Sequence, residues 1–434
     1  MDRETMENSE TRQSARLWEL FGDLQKLIRI EDSLEILLAL SVIAKLTPEE
    51  FRDIYKSPKA TLKESLHSLI KSHEKLKEID SLDCLYKKFL TTDNLAEIVY
   101  FLNKVDDFSG LADVLLQAFS ASQGRRGGEF STAVSVAKII KGYIGEVSHL
   151  KIYDGAAGIC ALTSQLNATN LVLEEKNSVS RNLGKNLLLL KGIDADYRVT
   201  DSLLNQRSSV QADLVITQPP WGMRLSGNDL EKIKNAKYLL CGKDEKIPAS
   251  AGDALWIQQA LYHANEKGRV IMLLPHGWLF RGGYDAELRE FLLEHDYVQT
   301  IIGLPAGLML HTTIPSVILV LNKKKGQSQQ GVVHFVDANG FGRDVKKQKV
   351  LSSEEIEQIV DLAKGKQPEH VRYRLVLLPE IYQNKNDLSI KQYIKEEPGD
   401  IDFPDQAAEL TKLQHAEIEF NAAQAKLVKL LNQL

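Results

Sequence analysis

The chain reads as an α/β protein: a mostly parallel sheet alternating with helices, preceded by a helical region and followed by one long helix. Three observations carry this. Residues 14 to about 120 place apolar side chains at three- and four-residue steps and hold few glycines, which is helical periodicity. From residue 150 onward, short apolar runs alternate with helix-length stretches, as in parallel strands joined by crossover helices. Several of those runs end in an acid or a Gly/Pro turn, the kind of residue found at the carboxyl edge of an open sheet. The 434 residues suit two or three domains, and 43% hydrophobic with 26% charged residues is an ordinary globular composition. The net charge of −5 means that any nucleic-acid contact must come from a local basic surface or a partner. Cys84, Cys160 and Cys241 lie far apart without CxxC spacing, which fits reduced, buried thiols in a cytosolic protein and implies no metal site. The polar N-terminus lacks a signal-peptide core, and no apolar run approaches the roughly 20 residues of a membrane span. A cytoplasmic protein without membrane contact is expected.

In the N-terminal third, Leu17, Leu20, Phe21, Leu24, Leu27 and Ile28 share one helical stripe, and Leu34, Ile36, Leu37, Leu40 and Ile43 share the next. Thr47-Pro48 resembles an N-cap with proline at the first helical position. Further helices are predicted around 62–78, 82–90, 93–104 and 110–120. No catalytic constellation stands out. His67 and His73 lie on a Lys-rich helix, which favours a solvated face over a metal pair.

Ser122–Ala133 is a basic, glycine-rich stretch leading into a helix over Val134–Tyr143. It reads either as a linker or as a shelf over a ligand facing the helix N-terminus. Leu150–Tyr153 is the first strand, and Asp154-Gly155-Ala156-Ala157-Gly158-Ile159-Cys160 follows. Its small residues permit a tight turn and close approach of a ligand. The second strand, Leu171–Leu173, ends in Glu174-Glu175, about 20 residues past the glycine turn, where nucleotide folds grip a ribose diol. The phosphate-binding GxGxxG pattern is absent. A third strand, Ala195–Val199, leads to Asp201. Any one of these acids could be a helix cap or solvated turn. Together they favour a nucleoside cofactor without phosphates, and S-adenosylmethionine, whose sulfonium and ammonium charges suit nearby carboxylates, is the candidate.

The stretch Ala212–Trp221 joins a buried strand to Gln218-Pro219-Pro220-Trp221. Proline ends the strand and holds the preceding residue extended. An amide and an indole then project from the sheet edge, suited to a planar, hydrogen-bonding substrate such as a nucleobase. Plain loop punctuation is the alternative. A polar insertion follows over 222–250, then a helix over Asp253–Glu266 and a strand over Arg269–Leu274. Val298–Leu304 and Ser316–Asn322 are two further strands that complete the sheet. Lys323-Lys324-Lys325 and Lys346-Lys347 with Lys349 read as solvated turns or as phosphate contacts.

This order of motifs resembles the N6-adenine DNA methyltransferases, specifically the modification subunits of type I restriction–modification systems, over about 120 to 434. Glu129-Phe130-Ser131-Thr132 resembles the motif preceding the sheet, with Ala133 in place of proline. Asp154-Gly155-Ala156-Ala157-Gly158 resembles the cofactor loop, with Gly155 in place of proline and Cys160 in place of glycine. Glu175 falls at the ribose acid and Asp201 at the acid near the cofactor adenine. Gln218-Pro219-Pro220-Trp221 occupies the catalytic Asn-Pro-Pro-aromatic motif. The stretches Gly268–Val270 to Pro275, Leu279–Gly283, Ile302–Leu308, Ile314–Leu319, Val333–Ala338 and Asp387–Ile390 with Tyr393-Ile394 extend the resemblance.

The resemblance implies a class I S-adenosylmethionine-dependent methyltransferase fold, Rossmann-like with a seven-stranded mixed sheet. It implies a helical domain over 1–120, the catalytic domain over 121–385, and a linker with a partner-docking helix over 386–434. It also implies methyl transfer to N6 of an adenine in double-stranded DNA. Gln218, Pro219, Pro220 and Trp221 would be catalytic. Glu129, Phe130, Ser131, Thr132, Asp154, Ala156, Ala157, Gly158, Glu175 and Asp201 would bind cofactor. A specificity subunit would dock on the C-terminal helix, and a restriction helicase-nuclease and a second copy of the chain are further partners the resemblance admits. On pattern alone, that helix, with Leu410, Leu413, Phe420, Leu427, Leu431 and Leu434 on one seam, either packs on its own domain or grips a partner. Gln218 departs from the family's Asn or Asp. Its extra methylene moves the amide oxygen by more than ~1 Å in any staggered rotamer unless the backbone retreats, and a misplacement of about 1 Å can cost on the order of a hundredfold in rate. A catalytically weak subunit with a binding or scaffold role is therefore the alternative, and an RNA or protein methyltransferase is the third reading.

Overall fold

The computed structural model describes residues 3–77, 79, 91–122, 133–205, 210–241, 247–309, 312, 314–345, 348–395 and 424, without the side chains of 3–13, 75, 77 and 348. By internal contacts, Met1–Ile394 is one unit and Lys395–Leu434 another. The predicted helix over 82–90 and the C-terminal helix from Pro404 onward, residue 424 apart, lie outside the described residues.

The N-terminal third is helical as expected: α1 Arg3–Gln25, α2 Ile30–Leu46, α3 Pro48–Lys56, α4 Leu62–Ser72, α5 Glu74–Lys77, α6 Thr92–Leu102 and α7 Phe108–Ser122. Every residue of α2 from Ser33 to Ala44 is buried, as a helix apolar on all sides must be. Thr47 stands at the N-cap of α3, with Pro48 opening the helix. Its hydroxyl turns back to the Ile43 carbonyl of α2 at 2.7 Å instead of capping α3.

Next come α8 (Val134–Ile144), β1 (Lys151–Asp154), β2 (Asn170–Glu175), α9 (Ser178–Lys191), β3 (Ala195–Val199) and β4 (Ala212–Thr217). They are followed by α10 (Gly227–Ile233), α11 (Gly252–His263), β5 (Ala264–Pro275), α12 (Tyr284–Glu294), β6 (Val298–Gly303), β7 (Ser316–Asn322) and β8 (Val332–Asp337). The last described elements are β9 (Arg343–Val345), β10 (Gln348–Val350), α13 (Ser353–Ala363), β11 (Tyr373–Leu377), α14 (Leu378–Gln383) and α15 (Ile390–Tyr393). The main sheet runs β11-β8-β6-β7-β5-β4-β1-β2-β3, with β7 and β11 antiparallel to their neighbours.

The expected seven strands are the run from β6 to β3, and the sheet exceeds that expectation with nine strands. The reason lies in β8, an apolar run with five of its six residues buried, which cannot stand at an open edge. β11, exposed at Arg374, Leu375 and Leu377, covers it and becomes the edge. Alternation along β5 supplies both layers. Val270, Met272 and Leu274 join the core under α11 and α12, whereas Ile271 and Leu273 join the one under α8 and α13.

The helical region shares its core with the sheet layer through α9, whose Leu183, Leu187 and Leu190 pack among its apolar side chains. Lys45 of α2 donates to the Leu189 and Leu190 carbonyls at 3.0 and 2.8 Å, supplying partners that the end of α9 lacks. The strand order reverses at β1, between β2 on one side and β4 on the other. Ligands of open α/β sheets bind outside the carboxyl ends at such a point.

Candidate active site

A cavity of ≈ 350 Å³ opens at that reversal. It takes residues 154–159, 161 and 162 after β1, 175 and 176 from the end of β2, 200–204 after β3 and 218–221 after β4. Ten residues picked out in the sequence line it together: Asp154, Ala156, Ala157, Gly158, Glu175, Asp201, Gln218, Pro219, Pro220 and Trp221. Glu129, Phe130, Ser131 and Thr132 lie outside the described residues.

The loop after β1 is held by its own backbone and by the next two strands. Asp154 is buried, and its Oδ1 accepts the Ala156 N–H at 3.0 Å. Burial pushes this carboxyl up to about 7, against the hydrogen bonds it receives. The Ala157 N–H donates to the Glu174 carbonyl at 3.0 Å. The Gly158 N–H donates to Glu175 Oε2 at 2.9 Å, and the Tyr197 hydroxyl donates to the Gly158 carbonyl. Gly158 has φ +55°, which glycine accepts freely. Cys160, at the position where the resembled family has glycine, has φ +61° and is fully buried. Burial drives its thiol far above the ordinary range, so it is inert.

Glu174 and Glu175 point to opposite faces of β2. Glu175 Oε1 accepts the Asn177 N–H at 2.7 Å, so both its oxygens serve the loop and helix entry while it borders the cavity. Glu174 is buried beneath. Tyr153 donates to Glu174 Oε2 at 2.7 Å, and Gln259 of α11 donates to the Tyr153 hydroxyl at 2.8 Å. Ser202 Oγ lies 2.7 Å from both Glu174 Oε2 and the Gly155 carbonyl, its one proton serving either. This network fixes the floor of the loop from below. Asp201 accepts the Leu203 and Leu204 N–H groups at 3.2 and 3.3 Å and pairs with exposed Lys176 at 2.8 Å.

Across the cavity, the half-buried Trp221 donates its Nε1–H to the Leu273 carbonyl of β5 at 3.0 Å. That bond and Gly222 at φ +62° set the direction of the ring and the turn after it. Gln218, half-buried, and the buried Pro219 precede it on the same wall.

Sequence reasoning missed Trp256 of α11, which lines the cavity at 6% exposure. Its buried Nε1–H has no protein acceptor, the situation of a donor kept for a ligand. Nothing in an apolar helix stripe marks it. It also missed Lys176 and the Tyr153–Glu174–Ser202–Gln259 network, whose members are far apart in the chain. Among the described residues, no group of three His, Cys, Asp or Glu side chains could hold a metal ion.

The sequence model of the N-6 DNA methylase family matches residues 103–400. Among curated proteins, the chain is 27% identical over 402 residues to the type I restriction enzyme MjaVII methylase subunit of Methanocaldococcus jannaschii, covering 81% of this chain and 69% of that protein. It is 30% identical over 332 residues to the MjaVIII methylase subunit of the same organism, covering 70% of this chain and 56% of the relative. The chain therefore spans little more than half of one relative and about two thirds of the other. Among solved structures, it superposes on a type I restriction–modification methyltransferase subunit from Streptococcus thermophilus with a TM-score of 0.70 at 20% identity, covering 89% of this chain and 99% of the other. A modification subunit of a putative type I restriction enzyme from Vibrio vulnificus gives a TM-score of 0.61 at 14% identity, covering 85% and 93%. These two likenesses establish the α/β fold.

Proposed function

The chain belongs to the N-6 DNA methylase family, and on that premise we propose that it transfers a methyl group from S-adenosylmethionine to N6 of an adenine in double-stranded DNA, as the modification subunit of a type I restriction–modification system. The observation that carries this is the meeting, in one cavity at the strand reversal, of three strand-end acids with Gln218-Pro219-Pro220-Trp221.

The cavity suits a nucleoside cofactor on its own chemistry. Its volume falls within the roughly 300–1,000 Å³ of small-molecule sites. It offers a tight backbone bend at Gly158, acids on one side and the orphaned Trp256 N–H on another. S-adenosylmethionine, when bound, supplies an activated methyl group on a cationic sulfur. Asp154 sets a negative charge in a buried place beside that positive ligand. Glu175, at the cavity edge, offers its carboxylate to a ribose diol. Asp201 presents its carboxylate to an exocyclic amine, with Lys176 close by. Trp256 donates to an acceptor of the nucleoside.

On the opposite wall, Gln218 Oε1 and the Pro219 carbonyl accept hydrogen bonds from the target amine, and Trp221 offers its face to the extruded base. No side chain has to remove a proton first. The work is orientation and aimed dipoles. Gln supplies the same acceptor as Asn on a longer arm.

The helical region to 120, the catalytic domain over 121–385 and the C-terminal stretch from 386 are the working division. The last is the proposed dock for a specificity subunit that reads the DNA sequence. A restriction helicase-nuclease and a second copy of this chain complete the proposed assembly. A DNA substrate and reduced cysteines suit the cytoplasm. Among the described residues, no helix is long and apolar enough to cross a membrane.

Calorimetry with S-adenosylmethionine, paired with labelled methyl transfer to duplex DNA in the presence of the specificity subunit, tests the proposal. Micromolar cofactor binding with transfer to adenine N6 is expected. Cofactor binding without transfer, restored by Gln218→Asn, would mark a scaffold with a damaged site, and absence of cofactor binding would defeat the reading.

A further inference from the structure

The charged groups around the cavity are unevenly paired. Four acids border it, Asp154, Glu175, Asp201 and Asp229, with two cations, Lys176 and Arg224. The acids are engaged. Asp154 and Glu175 accept backbone N–H groups, and Asp229 Oδ2 accepts from Ser226 Oγ at 2.7 Å. Asp201 and Lys176 hold each other at 2.8 Å. Of the six, Arg224 is the one that makes no hydrogen bond or ion pair among the described residues. It is exposed, and it follows Trp221 by three residues.

The backbone on either side of Arg224 is fixed. Gly222, at φ +62°, turns the chain after Trp221. Met223 then packs against the start of α11, where Gly252 lets the two backbones approach. A Cβ at 252 would stand 2.6 Å from the Met223 carbonyl oxygen. On the other side, the buried Leu225 donates its N–H to the Ala249 carbonyl at 2.9 Å. An exposed guanidinium on an anchored backbone is a pre-organised anion contact, because it gives up no protein partner when it binds.

We propose that Arg224 clasps a phosphate flanking the extruded adenine. The proposal rests on the methyltransferase reading, which puts that base against Trp221. A flipped nucleotide rotates about its backbone, so its base enters the pocket while its phosphates stay at the mouth. Three residues span at most about 11 Å, which keeps Arg224 at the mouth beside the stacking ring. Its planar fork matches two phosphate oxygens. Charge gives the reason for it. Four acids around a site for a cationic cofactor repel a phosphodiester, and Arg224 offsets that repulsion where the strand enters. The cofactor's own carboxylate is the competing anion. The exposure of Arg224 favours the phosphate, which arrives from solvent, over a group enclosed with the cofactor.

The test uses the full-length chain with its specificity subunit and a fluorescein-labelled duplex, with affinity measured by anisotropy between 50 and 200 mM salt. Arg224→Gln should weaken duplex binding by about tenfold, the low end for a hydrogen-bonded charge. It should also lower the slope of log affinity against log salt by about 0.9, the value of one phosphate contact. Arg224→Lys should restore the slope and most of the affinity, which a merely structural role would not do. Cofactor Kd by calorimetry should stay within about twofold in both variants, and it also reports folding. A second duplex carries a neutral methylphosphonate at either phosphate beside the adenine that receives labelled methyl. At one of the two positions it should bind the wild type about tenfold more weakly, and Arg224→Gln should not feel the change. Unchanged duplex affinity and slope in Arg224→Gln, or equal methylphosphonate losses in wild type and variant, would overturn the proposal. So would a weakened cofactor Kd with duplex binding intact, which would assign Arg224 to the cofactor carboxylate. Duplex binding that depends on Arg224 in a wild type that transfers no methyl group would sink the methyltransferase reading and not the contact.

Discussion

Asp154 offers the sharpest handle on the cavity, because its charge state is set by burial. Burial raises the carboxyl to about 7, far above an ordinary aspartate, and the Thr217 side chain and the Ala156 N–H offset only part of that. A cofactor carrying a sulfonium and an ammonium favours the ionised form, so binding and deprotonation are linked. If only the ionised form binds well, the apparent Kd exceeds its high-pH plateau by one plus ten to the power of the gap between pKa and pH. With the pKa at about 7, that is about tenfold weaker at pH 6 and about thirtyfold weaker at pH 5.5. Calorimetry from pH 5.5 to 8.5 reads this directly. Asp154→Asn should bind weakly and show no such slope. The sign for stability is opposite. A folded pKa raised above the unfolded value means that the unfolded chain ionises first as pH rises from about 4 toward 7. The empty protein therefore loses stability across that window, by up to about 4 kcal/mol. Asp154→Asn should raise the Tm of the empty protein at pH 8 and leave it nearly unchanged at pH 4. A flat Kd profile in the wild type, or the same slope surviving in Asp154→Asn, would refute the assignment of Asp154 to the cationic part of the ligand.

Two further outcomes concern the walls. Gln218→Ala should leave cofactor Kd within about twofold and lower methyl transfer by about 10²–10³, the usual loss for an aimed polar group; Gln218→Asn should keep transfer measurable, and labelled methyl counting separates the two. Trp256→Phe keeps an aromatic wall but removes the orphaned N–H, so cofactor affinity should fall by about twofold to tenfold, the range of one hydrogen bond, with no loss of Tm.

The legible part of the site was the part written at strand ends. Asp154, Glu175 and Gln218 each follow an apolar run and Asp201 follows the alternating strand β3, and a parallel sheet places all such ends on one edge. Side-chain alternation likewise separates Glu175 at the cavity from Glu174 beneath it. The buried network was not legible, because Tyr153, Ser202 and Gln259 meet Glu174 only through tertiary packing. The extra strands were missed for a related reason: whether β8 needs cover depends on both its faces being packed, which pairing decides. The network also accounts for one departure from the family pattern. A Cβ at Gly155 would lie 3.0 Å from the Tyr153 hydroxyl and 3.1 Å from Gln259 Nε2, so proline there would press on the groups that hold the floor. Glycine follows from the packing below.

Gly184 carries the same logic to a position outside the cavity, with a reversal of sign. It lies inside α9, where propensity alone makes Gly→Ala stabilising by about 1 kcal/mol. A Cβ there, however, would stand 2.9 Å from Cys160 Sγ, 3.0 Å from the Gly158 carbonyl and 3.0 Å from Tyr197 Cε1. Two of these neighbours cannot give cheaply: one is backbone, and the other is a ring whose hydroxyl holds that same carbonyl. Overpacking of this kind costs about 1–3 kcal/mol, more than the propensity gain. Gly184→Ala should therefore lower Tm and, by pushing the Gly158 peptide toward the cavity, weaken cofactor binding although residue 184 does not line it. Cys160→Gly removes one of the three clashes and a left-handed residue with a side chain, so the double variant should recover part of the loss. A higher Tm for Gly184→Ala, with cofactor affinity intact, would show that α9 and the loop after β1 are not coupled through this contact.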